Sequence, residues 1–532
     1  MKPTDAMFSF VAVSLIGAVV VALLPAASRQ GRRLVFLLVS LIELALGLLA
    51  AGSLLDLPGQ FTLYGILGLA GPRLSEGIAE LPWSPSLGLD LQFGIDHLSA
   101  PALIVIPLLF LVAAGTRSAE GRGTSIGLLV ALASLQGIFT ASNLLLLALF
   151  SQTAVFGLFF ALCLTRDQGD AGTSAHTSER HRVALRFLLF NYPATLGLLA
   201  AALSVRSTAQ QRTGSPQLDP EQLLTLALPA EAQMWIAIAF GLFLAIQLPI
   251  PPFHGWFVDL IALRTRTATV AILIAGAWPL VATYVMLRFA LSLCPEPVEL
   301  IGGEWGGSIA TWVAVYAGAL ALAQRASMQR QLALVCVSFN AVILLGLWTL
   351  TSQGIQGSLV YALNHGVVRA LLLALALSAV TKAQSSSWQS GLLWCAIIVF
   401  VGFPASAPFS GFLLCVIAGF AVSPGHTMVT LVGLFIAASN LFTGVGRGTP
   451  TGGGVPQRAL TATAAVVLGL TLYLGLHPGP LIRLTAPAAA HVSGWLPTTG
   501  YSVLGAGGGD QEQVVPVTTD TTGHSPDEGQ AP

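Results

Sequence analysis

The chain has 532 residues, 23 basic and 23 acidic, so its formal charge is zero; charged residues make up 9% of it and hydrophobic ones 55%. Soluble domains carry roughly 25% charged residues, so this chain cannot coat several water-facing cores, and a soluble enzyme, a nucleic-acid binder and a disordered scaffold are excluded. The lipid bilayer is the expected solvent.

Apolar stretches of about 20 residues, the length that crosses a bilayer, recur about fourteen times. In chain order they run over residues 8–24, 34–54, 98–116, 126–141, 143–164, 184–204, 234–252, 267–290, 308–323, 331–350, 357–380, 391–420, 428–447 and 459–477. The first is followed, not preceded, by Arg29, Arg32 and Arg33, and reads as an uncleaved anchor. Residues 1–97 form two helices and an external loop, 98–490 a transmembrane core and 491–532 a tail. From about Thr498 that tail is rich in Gly, Thr and acidic residues, a composition that predicts disorder.

Loop charges test the count. Loops assigned to one side hold Arg29, Arg32, Arg33, Arg117, Arg122, Arg166, Arg180, Arg182, Arg264, Arg266, Arg325, Arg330, Lys382, Arg447 and Arg458; the other side holds Lys2, Arg73, Arg206, Arg212 and Arg483. The Lys/Arg excess marks cytoplasmic loops, so both termini are expected outside the cytoplasm. Acidic residues such as Glu76, Asp90, Glu221 and Glu299 fall on the side poor in basic ones.

An ionisable residue at the bilayer centre costs at least about 2.5–3.5 kcal/mol, which makes each one a functional candidate. Glu43 lies midway along the second stretch, and His365 and Arg369 lie inside the eleventh. The last two are four residues apart and share a helix face. A buried polar path through them and a purely structural pair both stay open, with Glu43 a candidate counter-ion. Arg186 and Arg288 sit near span ends, where an arginine can snorkel to the interface. The five cysteines are scattered without a CxxC pair, so neither a disulfide framework nor a metal or iron–sulfur site is expected. No GxGxxG fingerprint is present either. The chain is therefore expected to carry no cofactor, no metal and no catalytic centre of its own.

Two stretches contain helix breakers: Gln247-Leu248-Pro249-Ile250-Pro251-Pro252-Phe253-His254 in the seventh and Gly402-Phe403-Pro404-Ala405-Ser406-Ala407-Pro408 in the twelfth. Proline removes a backbone donor and frees a carbonyl, which protein or water must satisfy. Breaks in two separated parts of one chain predict an all-α polytopic membrane protein with two inverted repeats, a transport-type fold.

At these breaks the sequence resembles a family. Ala245-Ile246-Gln247-Leu248-Pro249-Ile250-Pro251-Pro252-Phe253-His254-Gly255-Trp256 is similar to the seventh-helix signature of the antiporter-like membrane subunits of respiratory complex I. Gly94-Ile95-Asp96-His97-Leu98-Ser99, Ala184-Leu185-Arg186-Phe187, Asn364-His365-Gly366, Gly402-Phe403-Pro404 and Gly475-Leu476-His477-Pro478 resemble further motifs of that family, in order. Local details resemble its subunit M (chain 4) branch most. The resemblance implies a membrane subunit of a complex I-type NADH:quinone oxidoreductase in a bacterial inner membrane, whose partners are other membrane subunits and lipid. The alternative is a membrane subunit of an Mrp-type multi-subunit cation/proton antiporter or of an inorganic-carbon uptake system, which are built on the same fold.

The family's proton axis of glutamate and lysines is replaced here. Gln152 stands at the fifth-helix glutamate, Gln247 and Leu280 at the seventh- and eighth-helix lysines, Phe412 at the charged twelfth-helix position and Phe339 at a tenth-helix histidine. An amide has no proton to exchange near neutral pH, and Leu and Phe cannot hydrogen-bond at all. Lys382 lies at a helix end, away from the midplane. The remaining proton-path candidates are Glu43, His254, His365 and Arg369, leaving a non-pumping or a rerouted subunit.

Overall fold

A computed structural model describes residues 5–25, 28–55, 78–84, 89–116, 121–165, 174–214, 226, 228–263, 268–302, 304–324, 327–381, 387–448 and 458–494. Lys382 and the tail beyond residue 494 lie outside them.

The N-terminal part runs α1 (Asp5–Leu23), α2 (Arg29–Leu54), a hairpin of β1 (Ile78–Ser84) and β2 (Leu89–Gly94), α3 (Ala100–Thr116), α4 (Arg122–Thr140), α5 (Leu144–Leu164), α6 (Ser174–Thr213), α7 (Ala230–Gln247) and α8 (Gly255–Ala262). Helix α9 (Ala268–Val285) continues through a π-helical turn, Met286–Ala290, to Leu293. There follow α10 (Pro295–Ile301), α11 (Glu304–Ala323), α12 (Met328–Trp348), α13 (Ser352–Thr381), α14 (Ser387–Val401), α15 (Ala407–Val422), α16 (Pro424–Gly448), α17 (Arg458–Leu476) and α18 (Gly479–Ser493). Each of the fourteen apolar stretches is helical, so the chain is an all-α polytopic membrane protein. Eleven helices among the described residues are long and apolar enough to cross a membrane, and α1, α3, α14 and α15 are shorter apolar helices.

Burial sorts the helices. The apolar windows of α9, α12 and α13 are 100%, 100% and 94% buried, whereas those of α2 and α17 are 39% and 28% buried, so α9, α12 and α13 form the core and α2 and α17 belong to the outer shell. In lipid, helices gain nothing from hiding apolar surface against one another; close backbone approach and hydrogen bonds hold them together. At the α9–α13 crossing, a Cβ on Gly366 would lie 2.6 Å from the Gly276 carbonyl oxygen. Across helices, Ser338 Oγ donates to the Ala314 carbonyl (2.9 Å), Ser358 Oγ to that of Ile343 (2.9 Å), and Trp278 Nε1 to Asn191 Oδ1 (2.8 Å).

Both predicted breaks are present. Helix α7 stops at Gln247; the Ile250 N–H turns back to the Ala245 carbonyl, and Asn340 Nδ2 on α12 donates to the freed Leu248 carbonyl at 2.6 Å. The second break follows α14, where Gly402 takes φ +110°, a region L side chains avoid, and α15 restarts at Ala407. The stretch read as one span over 391–420 is therefore two half-helices. The seventh stretch likewise ends five residues early and resumes as α8.

Hydrogen bonds between helix ends respect the predicted alternation. Arg122 Nη2 donates to the Leu24 carbonyl, joining the end of α1 to the start of α4, and Thr124 meets Thr165 across the start of α4 and the end of α5. On the other face, the Ser142 N–H donates to the Gln92 carbonyl, and Gln356 Nε2 on α13 to that of Ile482 on α18. Each pair joins ends that the count assigns to one side.

Three elements depart from expectation. Helix α6 has 40 residues, about 60 Å at 1.5 Å per residue, twice the hydrocarbon thickness; its polar flanks Thr177–Arg182 and Ser207–Thr213 continue as helix beyond the apolar segment. The segment between α2 and α3 contains the β1–β2 hairpin, antiparallel with a register shift between Pro82 and Ser84. Beyond the last predicted span, α18 buries Leu484, Thr485, Ala488, Ala489 and Val492, a helix that the count of apolar stretches did not include.

Candidate functional site

Three buried polar groupings carry the predicted residues. The first belongs to the N-terminal helices. Glu43 on α2 is 0% exposed; its carboxyl group accepts from Ser14 Oγ on α1 (2.7 Å) and Gln136 Nε2 on α4 (3.1 Å). These partners replace the water that a buried carboxyl group loses. Gln136 Oε1 keeps an unused acceptor.

The second surrounds the broken seventh helix. Gln247 is buried with Oε1 unpartnered, and Gln152 Nε2 on α5 is likewise a buried donor without a partner. Beyond the break, a pocket of about 260 Å³ is lined by His254, Arg186, Asp259, Gln324 and Arg330 together with apolar side chains. Asp259 on α8 bridges Arg186 on α6 and Arg330 on α12. Its volume holds several waters. His254 lies in its wall, stacking edge-on to Tyr316 at 5.9 Å, with Nδ1 free of a hydrogen bond.

The third lies where α12, α13 and α14 meet. His365 is 1% exposed and sits among Tyr361, Phe400 and Phe339, at ring separations of 4.5, 4.4 and 5.7 Å. Phe339 thus fills the space beside this ring. One turn on, Arg369 is also 1% exposed; its Nη2 donates to His365 Nδ1 at 3.2 Å. A guanidinium can only donate, so Nδ1 is the acceptor and the proton of the neutral imidazole sits on Nε2.

The structure brings His365 and Arg369 together as their spacing predicts. It does not join Glu43 to them, because the Glu43 partners lie on α1 and α4. The lost-charge positions divide as well: Leu280 is fully buried, whereas Phe412 is partly buried and packs on Phe409 with ring centroids 6.3 Å apart.

The two arginines near span ends are ion-paired. Arg186 meets Asp259, and Arg288, in the π-helical turn of α9, meets Asp96. Asp96 also caps α3: its Oδ1 accepts from the N–H groups of Leu98 (3.1 Å) and Ser99 (2.9 Å), while Ser99 Oγ accepts from the Asp96 N–H at 2.9 Å. That reciprocal box satisfies helix-start donors. Asp96 and Arg186 stood in motifs that carried the resemblance, and a pairing of nearby acids with near-end arginines was the available signal.

A family model described as NADH:quinone oxidoreductase/Mrp antiporter, TM, matches residues 171–437, half of the chain. NADH-quinone oxidoreductase subunit 13 of Thermus thermophilus is 27% identical over 461 residues, 84% of this chain and 93% of that protein. Subunit M of the Escherichia coli enzyme is 23% identical over 482 residues, 85% and 92% of the two chains. Among solved structures, a chain of respiratory complex I from Thermus thermophilus superposes with a TM-score of 0.74 at 24% identity, covering 92% of this chain and all of that one. A chain of the Mrp complex from a Dietzia species gives 0.73 at 19% identity, covering 93% and 98%. The broken helices and the matched segment together place this chain in the NADH:quinone oxidoreductase/Mrp antiporter transmembrane family.

Proposed function

We propose that the chain is the membrane-embedded, subunit M-like component of a complex I-type NADH:quinone oxidoreductase, packed against other membrane subunits, with its usual proton axis silent. One observation carries the reading: the family's broken seventh helix is built in full, yet the residue at its end is Gln247, a buried amide with an unused acceptor. An amide can order water but cannot carry a proton through the break. Proton movement, where it occurs, runs through His254, at the pocket, and through His365, which Arg369 holds in place without giving up its own proton, with Glu43 as a separate station. The chain supplies no redox centre on this reading; electron transfer belongs to companion subunits. The basic loops face the cytoplasm and both termini lie outside it, in a bacterial cell membrane.

The likeness to an Mrp complex favours a second reading, a subunit of a multi-subunit cation/proton antiporter. Against it stands the replacement of the family's charged residues by Gln247 and Phe412 near the two breaks, since ion exchange needs titratable groups there.

Reconstituted vesicles holding the whole assembly test the proposal. Gln152→Ala and Gln247→Ala should leave proton translocation nearly unchanged, whereas His365→Ala or Arg369→Ala should lower it if the rerouted path operates. Loss of translocation in both glutamine variants, with assembly intact, would overturn the silent axis. Companion subunits bearing iron–sulfur clusters, identified after purification from the native membrane, support the complex I reading; their absence supports the antiporter.

A further inference from the structure

The pocket beyond the broken seventh helix carries more positive than negative charge. Asp259 pairs with both Arg186 and Arg330, the second at 3.2 Å from Nη2 to Oδ1. The three side chains keep one positive charge in excess, and a proton on His254 in the wall would only add to it. Exposure divides them: the Asp259 side chain is 17% exposed, those of Arg186 and Arg330 53% and 44%. The carboxylate is the sheltered member, and the guanidinium groups are open to what lies outside the chain. Each arginine spends one nitrogen on Asp259, and a guanidinium has further N–H donors in a planar fork. Acids are scarce around the pocket in sequence as well. Residues 178–187, 254–267 and 320–334, the stretches that build it, hold seven arginines against Glu179 and Asp259.

Room and setting point to the occupant. The cavity measures about 260 Å³, and a phosphate group takes the space of roughly a few waters of about 30 Å³ each. Val258 on α8, Leu320 on α11 and Leu334 on α12 line the same cavity as the arginines. It lies where α6 enters its apolar segment, α11 ends and α12 begins, the helix ends that adjoin basic loops. We propose that this pocket seats the headgroup of an anionic phospholipid from the adjoining leaflet, its phosphate on Arg186 and Arg330 and its apolar carbons against Val258, Leu320 and Leu334. Guanidinium groups favour phosphate through paired, charge-assisted hydrogen bonds, and basic pockets between helices at a membrane surface recognise lipid headgroups. A free phosphate would leave the apolar part of the lining in water. A zwitterionic lipid would bring its own cation to a site already positive. The site stands whether the chain serves an oxidoreductase or an antiporter, because it uses none of the proton-axis positions.

Thermal unfolding of the purified full chain in mixed micelles tests this, with phosphatidylglycerol, phosphatidylcholine or inorganic phosphate added at constant ionic strength. A ligand of the folded state raises the midpoint as its concentration passes its dissociation constant, so phosphatidylglycerol should raise the wild-type midpoint and the other two should not. Arg330→Gln removes the excess charge and leaves the Arg186–Asp259 pair in place; it should lose most of the rise, and Arg330→Lys should keep part of it. Arg458→Gln, at an exposed arginine of α17, should respond as the wild type does. An equal rise with phosphatidylcholine, or an undiminished rise in Arg330→Gln, overturns the proposal. So does a loss in Arg458→Gln as large as that in Arg330→Gln, which would mean attraction by surface charge alone, and so does an equal rise with inorganic phosphate, which would make the lipid the wrong source. Should Arg330→Gln fail to fold, a phosphatidylglycerol with a photoreactive acyl chain decides on the wild-type chain: cross-links to the Val258, Leu320 or Leu334 peptides support the site, and cross-links confined to α2 and α17 remove it.

Discussion

Asp96 shows how one side chain can hold two elements. Burial works to raise the pKa of its carboxyl group, but the Arg288 guanidinium beside it and the Ser99 N–H outweigh burial and hold it below the ordinary aspartate value. A carboxyl group depressed in the folded state stabilises that state above its unfolded pKa, and the contribution disappears as pH falls through the depressed folded value. The thermal midpoint of the wild-type chain should therefore drop on acidification below about pH 4, the range set by the free aspartate. In Asp96→Asn the midpoint should be lower near neutral pH and less sensitive to acid; midpoints recorded across a pH series compare the two. The sequence displayed Asp96 within a motif and Arg288 near a span end, but 192 residues separate them. Helix periodicity says nothing about pairs that far apart.

Elements were more readable than contacts. The two breaks followed from proline chemistry alone, because Pro249, Pro251 and Pro252 remove three donors within four residues. What closes the first break did not follow: Asn340 stands within an apolar run, and its amide meets a Leu248 carbonyl that lies 92 residues away in the chain. The β1–β2 hairpin was missed although Leu89, Leu91 and Phe93 alternate with Asp90 and Gln92, the period of a strand; a search for long apolar runs passes over so short a segment. Helix crossings are equally hidden from periodicity, and that of α9 over α13 rests on backbone contact. Gly366→Ala should force these helices apart at the Gly276 carbonyl and destabilise the chain by about 1–3 kcal/mol. The same substitution at Gly391, which has open space around it, provides the control, with unfolding in denaturing detergent as the measurement.

On the scale of the whole molecule, the distribution of charge predicts side and alternation, and the hydrogen bonds between helix ends agree with the alternation. Single-cysteine variants in a background lacking the five native cysteines test the sidedness. Ser215→Cys should react with a membrane-impermeant maleimide added to intact cells, and Ser118→Cys only after lysis; the reverse pattern would invert the assignment. The charge pattern could not say how the interior is linked, and there α12 is instructive. At three consecutive positions it reaches three different neighbours: Ser338 bonds to α11, Phe339 stacks on His365 of α13, and Asn340 holds the broken end of α7. Successive helical residues point about 100° apart, so these three grips spread around the circumference of one rod. The rod cannot rotate on its axis without releasing all three together. Mechanically it behaves as a camshaft locked at a single angle, and any motion transmitted between the two halves of the bundle must either leave this shaft still or turn every follower at once.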